Sequence, residues 1–296
     1  MGILRLIDTT ISILFDGLAY AMILFIISVG LSITMGLMGF INLAHGVFAM
    51  AGGYFVVSLM SSAGVGFIPA LAAATAGTAA ASLVLERLFY SPLYKASALD
   101  QVMLSIGLVL MASAAFTYVF GPDPVSVRVP DYLNGQVYLG SRTFPAYRVF
   151  MIIVGVIMFA ALWFGLERTI IGAKIRAAVD NRRMAECVGI NVERLFKLTF
   201  ALGSGCAALG GGLAVDILGL SPSFAIQYLV LFLIVVSVGG LGTVRGTFVA
   251  ALALGLIDNG GKYLWPAAGG FFIYAATIAI LLLRPHGLYG KGAHRS

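Results

Sequence analysis

The sequence predicts an all-α, polytopic integral membrane protein with about eight or nine crossings and glycine-rich interruptions in its hydrophobic segments. Three observations carry this. Of 296 residues, 60% are hydrophobic and only 10% are charged, whereas soluble domains run near ~25% charged. The apolar residues come in blocks, and a helix needs about 20 of them to cross a bilayer. The chain also holds 37 glycines, which suit the close helix approach found in membranes. Residues 1–296 are therefore read as one transmembrane domain.

The apolar blocks run over 11–37, 46–62, 66–85, 102–120, 149–166, 196–218, 224–240, 247–264 and 269–283. Helix is the state expected for each, because backbone groups facing lipid must be satisfied within the segment. The period-2 alternation of a membrane barrel is absent. Two polar loops stand apart: 121–148, with Pro122, Pro124, Pro130 and Pro145, and 166–195, rich in both signs of charge. No cleavable leader is expected at the start, since a basic region, a short apolar core and a small-residue cleavage site are not combined there. Cys187 and Cys206 offer neither a disulfide framework nor metal-ligand spacing. The net charge of +6 is expected to report orientation and anionic lipid rather than nucleic acid.

Basic residues segregate. Loops 86–101, 166–195 and 241–246 and the C-terminus collect Arg87, Lys95, Arg168, Lys174, Arg176, Arg182, Arg183, Arg194, Lys197, Arg245, Arg284, Lys291 and Arg295. The opposite loops hold Arg128, Arg142, Arg148 and Lys262, and Arg5 stands near the N-terminus. The positive-inside rule places the first set, with the C-terminus, in the cytoplasm. Nine crossings then put the N-terminus outside; a re-entrant 38–62 would give eight and put it inside.

Polar and glycine-rich stretches between apolar blocks are the candidate functional segments. Gly36-Leu-Met-Gly39-Phe-Ile-Asn42-Leu-Ala-His45-Gly46 joins two of them. It reads either as a short turn in which Asn42 caps the next helix, or as a broken helix lining a solute path. Irregular backbone at membrane depth must face protein or a watery cavity. Gly239-Gly240-Leu-Gly242-Thr-Val-Arg-Gly246 lies between two later blocks, and Gly239, Gly246, Phe248 and Ala251 repeat Gly39, Gly46, Phe48 and Ala51 at an offset of 200. Interrupted helices at corresponding positions of two repeats point to a transport site, while ordinary glycine-mediated packing would leave the same trace.

The 166–195 loop carries a third pattern. Ile171, Ile175, Ala178, Ala185 and Val188 fall on one helical face, and Lys174, Arg176, Arg182 and Arg183 lie elsewhere, with Gly189 at a helix end. Such a helix either rests on lipid headgroups or docks its small apolar face on a cytoplasmic partner; the alanines favour the partner. Other functions are poorly supplied. Ion-coupled transport needs an acidic residue deep in a span, for which Asp16, Asp216 and Asp258 are the candidates and Asp16 the best placed. The histidines, His45, His286 and His294, form no cluster for catalysis or a metal. No catalytic residue, metal site or cofactor is expected.

Together, Gly39-Phe-Ile-Asn-Leu-Ala-His-Gly46, the Ala177-Ala178 to Gly189-Ile190-Asn191 loop and the Gly239 to Gly246 block resemble the branched-chain amino acid ABC transporter permeases. The likeness is to the H-type subunit, which carries Asn-x-Ala-His-Gly, and it extends from about Gly17 to Leu288 with the three blocks in order. The resemblance implies a membrane-spanning subunit that imports amino acids or similar small polar solutes. Its implied partners are a second related permease, two cytoplasmic ATPase subunits and an extracytoplasmic substrate-binding protein. ATP would be bound by the partners, and no Gly-x-x-x-x-Gly-Lys-Ser/Thr run occurs here. It further implies that Gly39, Asn42, His45, Gly46, Gly239, Gly240, Gly242 and Gly246 lie along the translocation pathway. Ala177, Ala178, Asp180, Asn181, Ala185, Gly189, Ile190 and Asn191 would form the ATPase-coupling loop. At Asp180-Asn181-Arg182-Arg183 the chain is more basic than the family pattern.

Overall fold

A computed structural model describes residues 2–94, 96–126, 129–139 and 142–290. Lys95, Arg128, Lys291, His294 and Arg295 lie outside them. The chain folds as α1 (Gly2–Met38), α2 (His45–Ala63), α3 (Phe67–Leu85), α4 (Ala98–Phe120), α5 (Ala146–Glu167), α6 (Ile170–Asp180), α7 (Arg182–Cys187), α8 (Val192–Leu218), α9 (Phe224–Gln227), α10 (Leu229–Gly239), α11 (Val244–Leu264) and α12 (Gly269–Leu283). Each apolar block of the sequence lies in helix, with α1 starting nine residues before the 11–37 block and the 224–240 block divided into α9 and α10. The 121–148 loop adds what the sequence reading lacked, a hairpin of β1 (Gln136–Leu139) and β2 (Arg142–Pro145) in register Gln136↔Pro145 to Leu139↔Arg142. Strands of four residues give too little alternation to read.

Among the described helices, 7 are long and apolar enough to cross a membrane alone. A further membrane element comes from Phe224–Gly239 and Val244–Leu264, two arms bent by 120° at a short break. Contacts fix the two ends of the bundle. At one end Asn259 Nδ2 donates to the Ile13 carbonyl at 2.8 Å, Phe15 packs on Phe144, and Val125 bridges Leu220. At the other end, the last turn of α1, the end of α5, α6, the break after α10 and the segment after α12 all border one cleft. We call this second end the α6 end. The arms α9–α10 and α11 run to it and back.

α1 and α8 form the centre, with 83% and 78% of their most apolar windows buried, against 17% for α4 and α12. They can approach because the contact is made by residues without bulk. A Cβ on Gly30 would stand 2.2 Å from the Gly203 carbonyl oxygen, and one on Gly52 of α2 would stand 2.3 Å from that of Ala208. Neither backbone could yield, so glycine is required at these crossings. The outer helices turn Leu, Ile, Met and Phe outward: Leu110, Ile157, Ile278 and Leu282 are all exposed. In water this surface would be costly; in lipid it is the solvent-facing side.

Helix ends follow local rules. Ser97 and Asp100 form a capping box at the start of α4, each side chain taking the other's backbone N–H. Between α3 and the Ser91–Leu93 turn, Glu86–Tyr90 winds as a π-helix, a wider turn that often marks functional positions. The described basic residues divide as their loops do. Arg87, Arg168, Lys174, Arg176, Arg182, Arg183, Arg194, Arg245 and Arg284 belong to segments at the α6 end, whereas Arg148 and Lys262 lie at the other.

Candidate functional site

The first break is a polar knot inside the protein. Gly39 ends α1 at φ +64 with its N–H on the Met35 carbonyl, and open space surrounds the place of a Cβ. The chain then crosses toward the α4 start, where Ile41 N–H donates to Gln101 Oε1 at 3.1 Å. Asn42 is 1% exposed. Its Oδ1 accepts from Ala44 N–H at 3.1 Å and from the Tyr90 hydroxyl at 3.2 Å. Asn42 thus closes a turn onto Ala44, the N-cap residue, and reaches across to the π-helix, but α2 has no side-chain cap, so Asn42 does not cap the next helix as the turn alternative expects. His45 opens α2, is 1% exposed, and pairs its Nε2 with the Ile27 carbonyl at 3.0 Å. A carbonyl can only accept, so Nε2 carries the proton and Nδ1 keeps its lone pair. Ile27 lies nine residues before Gly36 on a helix that rises about 1.5 Å per residue, which sets His45 well within the bundle. Gly46 lets α2 pass the α9 backbone, since its Cβ would meet Ala225 Cα and carbonyl oxygen at 3.0 Å.

Two donor or acceptor atoms here lack partners. Asn42 Nδ2 and His45 Nδ1 are buried and make no hydrogen bond, as do Ser28 Oγ, Ser204 Oγ and Glu86 Oε2 nearby in the core. Unmade bonds of buried groups cost about 1–3 kcal/mol each, so this packing leaves polar capacity unused. The space beside the break is small and apolar, a groove of about 180 Å³ between Ala44, Val47, Phe48, Tyr90, Leu108 and Ala112.

The second break is a tight turn of bare backbone. Gly240 and Gly242 take φ +95 and +75, conformations that disfavour side chains. Gly239 and Gly246 pack against each other, a Cβ on Gly246 falling 2.0 Å from the Gly239 carbonyl oxygen. The turn meets α1 directly: Gly242 N–H donates to Ser32 Oγ at 3.2 Å, and the Gly36 Cα faces Gly242. It stands at the α6 end, where Arg245 pairs with Glu167 at 2.9 Å and lies 4.7 Å over the Trp163 ring. The sequence resemblance puts both breaks along one translocation pathway. His45 is within the bundle, but the 240–243 turn sits at its end, and it is Gly36 rather than Gly39 that touches it. A cleft of about 900 Å³ opens beside this turn, bordered by Gly36, Glu167, Arg176, Ser237, Gly242 and His286.

The 166–195 loop differs from its expected form in two respects. It is two helices, α6 and α7, separated at Asn181, whose Oδ1 accepts from Met184 N–H at 3.0 Å. Gly189 does close α7 at φ +82, with Ile190 N–H returning to the Ala185 carbonyl. The small apolar face, however, is not presented outward. Ile175, Ala178 and Ala185 are 4%, 2% and 3% exposed and belong to the protein's own core. Ile171 and Val188, expected on that same face, are instead exposed, because the break at Asn181 ends the single helix that would have aligned the two. With them Ile170, Met184, Ala177, Asp180, Asn181, Gly189 and Asn191 are exposed and Ile190 is half-buried. Helical periodicity identifies a face but cannot say whether it turns to the protein's own bundle or to a partner.

The acidic candidates for ion coupling sit at the end opposite α6. Asp16 pairs with Arg148, Asp258 pairs with Lys262 at 2.6 Å, and Asp216 is exposed near the close of α8. A residue the sequence reading passed over is Glu86, 0% exposed. In sequence it looks like the first charge of a loop. Its Oε1 accepts from the Tyr94 hydroxyl at 2.7 Å, and burial together with this bond pushes the Tyr94 phenol above its usual range, so the phenol is the donor.

Comparison with known proteins supplies the frame. Residues 13–281 match the family described as the permease component of branched-chain amino acid transport systems. The chain is 25% identical to the high-affinity branched-chain amino acid transport system permease protein LivH of Escherichia coli, over 94% of each chain. It is 26% identical to BraD, the permease protein of the same description in Pseudomonas aeruginosa, over 94% of this chain and 95% of that one. A probable LivH of Methanocaldococcus jannaschii is 23% identical over 94% of this chain. No solved structure matches.

Proposed function

The chain belongs to the branched-chain amino acid transport permease family, and on that footing we propose that it is the membrane-spanning permease subunit of an ABC importer of branched-chain amino acids. It works with a second related permease, two cytoplasmic ATPase subunits that bind the ATP, and an extracytoplasmic binding protein that selects the solute. The observation that carries this reading is the pairing of an exposed two-helix loop, α6–α7, with interrupted helices at the same end of the bundle. A permease that takes its energy from partner ATPases must do so through a surface, and α6–α7 combines exposed apolar side chains with basic ones.

In this reading the α6 end and the C-terminus face the cytoplasm and the β1–β2 hairpin faces outside, because the basic residues gather at the α6 end. The pathway residues are Gly39, Asn42, His45, Gly46, Gly239, Gly240, Gly242 and Gly246. Asn42 Nδ2 and His45 Nδ1, unpaired in this packing, become solute- or water-facing when the first break moves. Weak, replaceable hydrogen bonds of this kind guide a zwitterion without trapping it. The coupling surface is centred on Ala177, Asp180, Asn181, Gly189, Ile190 and Asn191, with Ala178 and Ala185 fastening it to the bundle.

The test is reconstitution of the chain in proteoliposomes with its ATPase and permease partners and binding protein. Leucine uptake that requires ATP and the ATPase subunits is the expected result. Uptake driven by an ion gradient without them would sink the reading in favour of a secondary transporter. Labelling of single cysteines placed near Arg182 by an impermeant reagent from outside would reverse the orientation.

A further inference from the structure

The residues between α7 and the first break form a continuous chain of contacts. On α7, the Arg182 guanidinium lies 5.8 Å over the Phe196 ring of α8. Phe196 meets Tyr94 edge-on at 5.9 Å, and Tyr94 meets Phe40 of the break edge-on at 5.8 Å. Phe40 then contacts Tyr90 at 5.3 Å, and the Tyr90 hydroxyl ends on Asn42. Tyr94 thus touches both Phe196 on the α7 side and Phe40 on the break side. Its orientation is set by the bond to Glu86, a buried carboxylate on the π-helix whose second oxygen is unpaired. At one end of this chain is a helix at the surface; at the other is a hinge, Gly39, with open space around it.

We propose that Tyr94 and Glu86 are positioning residues that transmit displacement of α7 to the Gly39–Gly46 break. This rests on the reading of α6–α7 as the ATPase-coupling surface. A buried carboxyl group with one oxygen unpaired is expensive to keep for packing alone. Glu86 sits on a π-turn, and in this proposal the turn rewinds to an α-turn as α7 moves. A two-state element of this kind is what would distinguish coupling from mere adjacency. Movement of α7 shifts Phe196, Phe196 turns the Tyr94 ring, and Tyr94 both releases Phe40 and changes its bond to Glu86.

The experiment uses the complete reconstituted importer and reads solute taken up per ATP hydrolysed, with assembled complex quantified in each preparation. Tyr94→Leu is expected to lower that ratio about tenfold while hydrolysis per complex changes by less than about twofold, the range open to changes along a coupling network. Tyr94→Phe keeps the ring and loses the bond to Glu86, and should lower the ratio by roughly threefold on the same scale. Glu86→Gln still accepts from the phenol and should stay within about twofold of the parent, whereas Glu86→Leu should follow Tyr94→Leu. Uptake and hydrolysis falling in step, or a ratio unchanged in all four variants, overturns the inference. Should Tyr94→Leu fail to assemble, Tyr94→Phe decides alone, and an unchanged ratio overturns it. A parent complex that shows no ATP-driven uptake sinks the functional reading instead, so the two failures are distinct.

Discussion

The two glycine-rich breaks look alike in sequence and are built on different physics. At 39–46 the chain is held by side chains: Asn42 accepts from Ala44 N–H and from Tyr90, His45 reaches Ile27, and Gln101 takes Ile41 N–H. At 239–246 it is held mainly by backbone contact, with Gly239 on Gly246 and Gly242 on Gly36. The repeated glycines do different work. Gly39 supplies a positive φ while its counterpart Gly239 is helical and supplies close approach. The comparison teaches that the first break carries removable polar bonds and can rearrange, whereas the second is a rigid corner against which α1 and α11 are set.

The largest effects should therefore come from bulk at the second break. Gly246→Val would drive a side chain into the Gly239 carbonyl and Thr243 Oγ1, both already within 2.3 Å of a built Cβ. No folded, monodisperse permease should be recovered from detergent extracts. Gly39→Ala meets open space and costs only the left-handed conformation, roughly 1–2 kcal/mol, so it should be recovered in near-normal amounts. Recovery of the first variant and loss of the second would invert the comparison.

Next comes the polar chemistry of the first break. Asn42→Leu leaves the Tyr90 hydroxyl and Ala44 N–H without their acceptor, at about 1–3 kcal/mol for each buried group. Uptake should fall severely while copurification with the ATPase subunits persists. The matched change at the second break, Thr243→Ala, removes hydroxyl bonds to Gly240 and Gly239 carbonyls that are only part-buried and should cost about 1 kcal/mol with uptake largely kept. Equal losses in the two variants would mean that the breaks share one role.

Much of this was legible in the sequence, and the limits are physical. Long apolar blocks gave the helices because lipid leaves the backbone no other way to satisfy itself. Asn42 and His45 stood out because a lipid-facing helix would not carry them. Glu86 could not be found, since its burial depends on a partner eight residues away whose ring packs under α8. Nor could the outward face of α6–α7, because Ala178 and Ala185 look the same whether they dock on a partner or on their own bundle. That distinction changes the useful mutation. Met184→Glu or Val188→Glu, at exposed positions, should weaken ATPase copurification and leave the detergent-solubilised subunit as stable as the parent. Ala185→Glu, 3% exposed, should destabilise the subunit itself through an unpaired buried charge, by several kcal/mol, on the order of 3–5. Were Ala185→Glu as stable as the parent, the face assignment would be wrong.

The smallest effect sharpens the comparison most, because it asks whether side chains hold the second break at all. Arg245 and Glu167 tie the start of α11 to the end of α5, yet both side chains are substantially exposed, at 46% and 33%. An ion pair so placed is worth about 0.2–1 kcal/mol, because water and salt screen it. Glu167→Gln removes the charge but still accepts from Trp163 Nε1, bonded to it at 2.7 Å. Arg245→Gln removes the charge together with the planar cation that lies over the Trp163 ring. A double-mutant cycle on chemical denaturation in detergent isolates what the pair contributes beyond these other contacts. If the corner is rigid because of glycine backbone packing, the interaction energy should be under about 1 kcal/mol and should shrink with added salt. An interaction energy near 3 kcal/mol, unmoved by salt, would have the strength of a desolvated charge pair. The second break would then be fastened by side chains as firmly as the first, and the division between a polar hinge and a backbone corner would have to be abandoned.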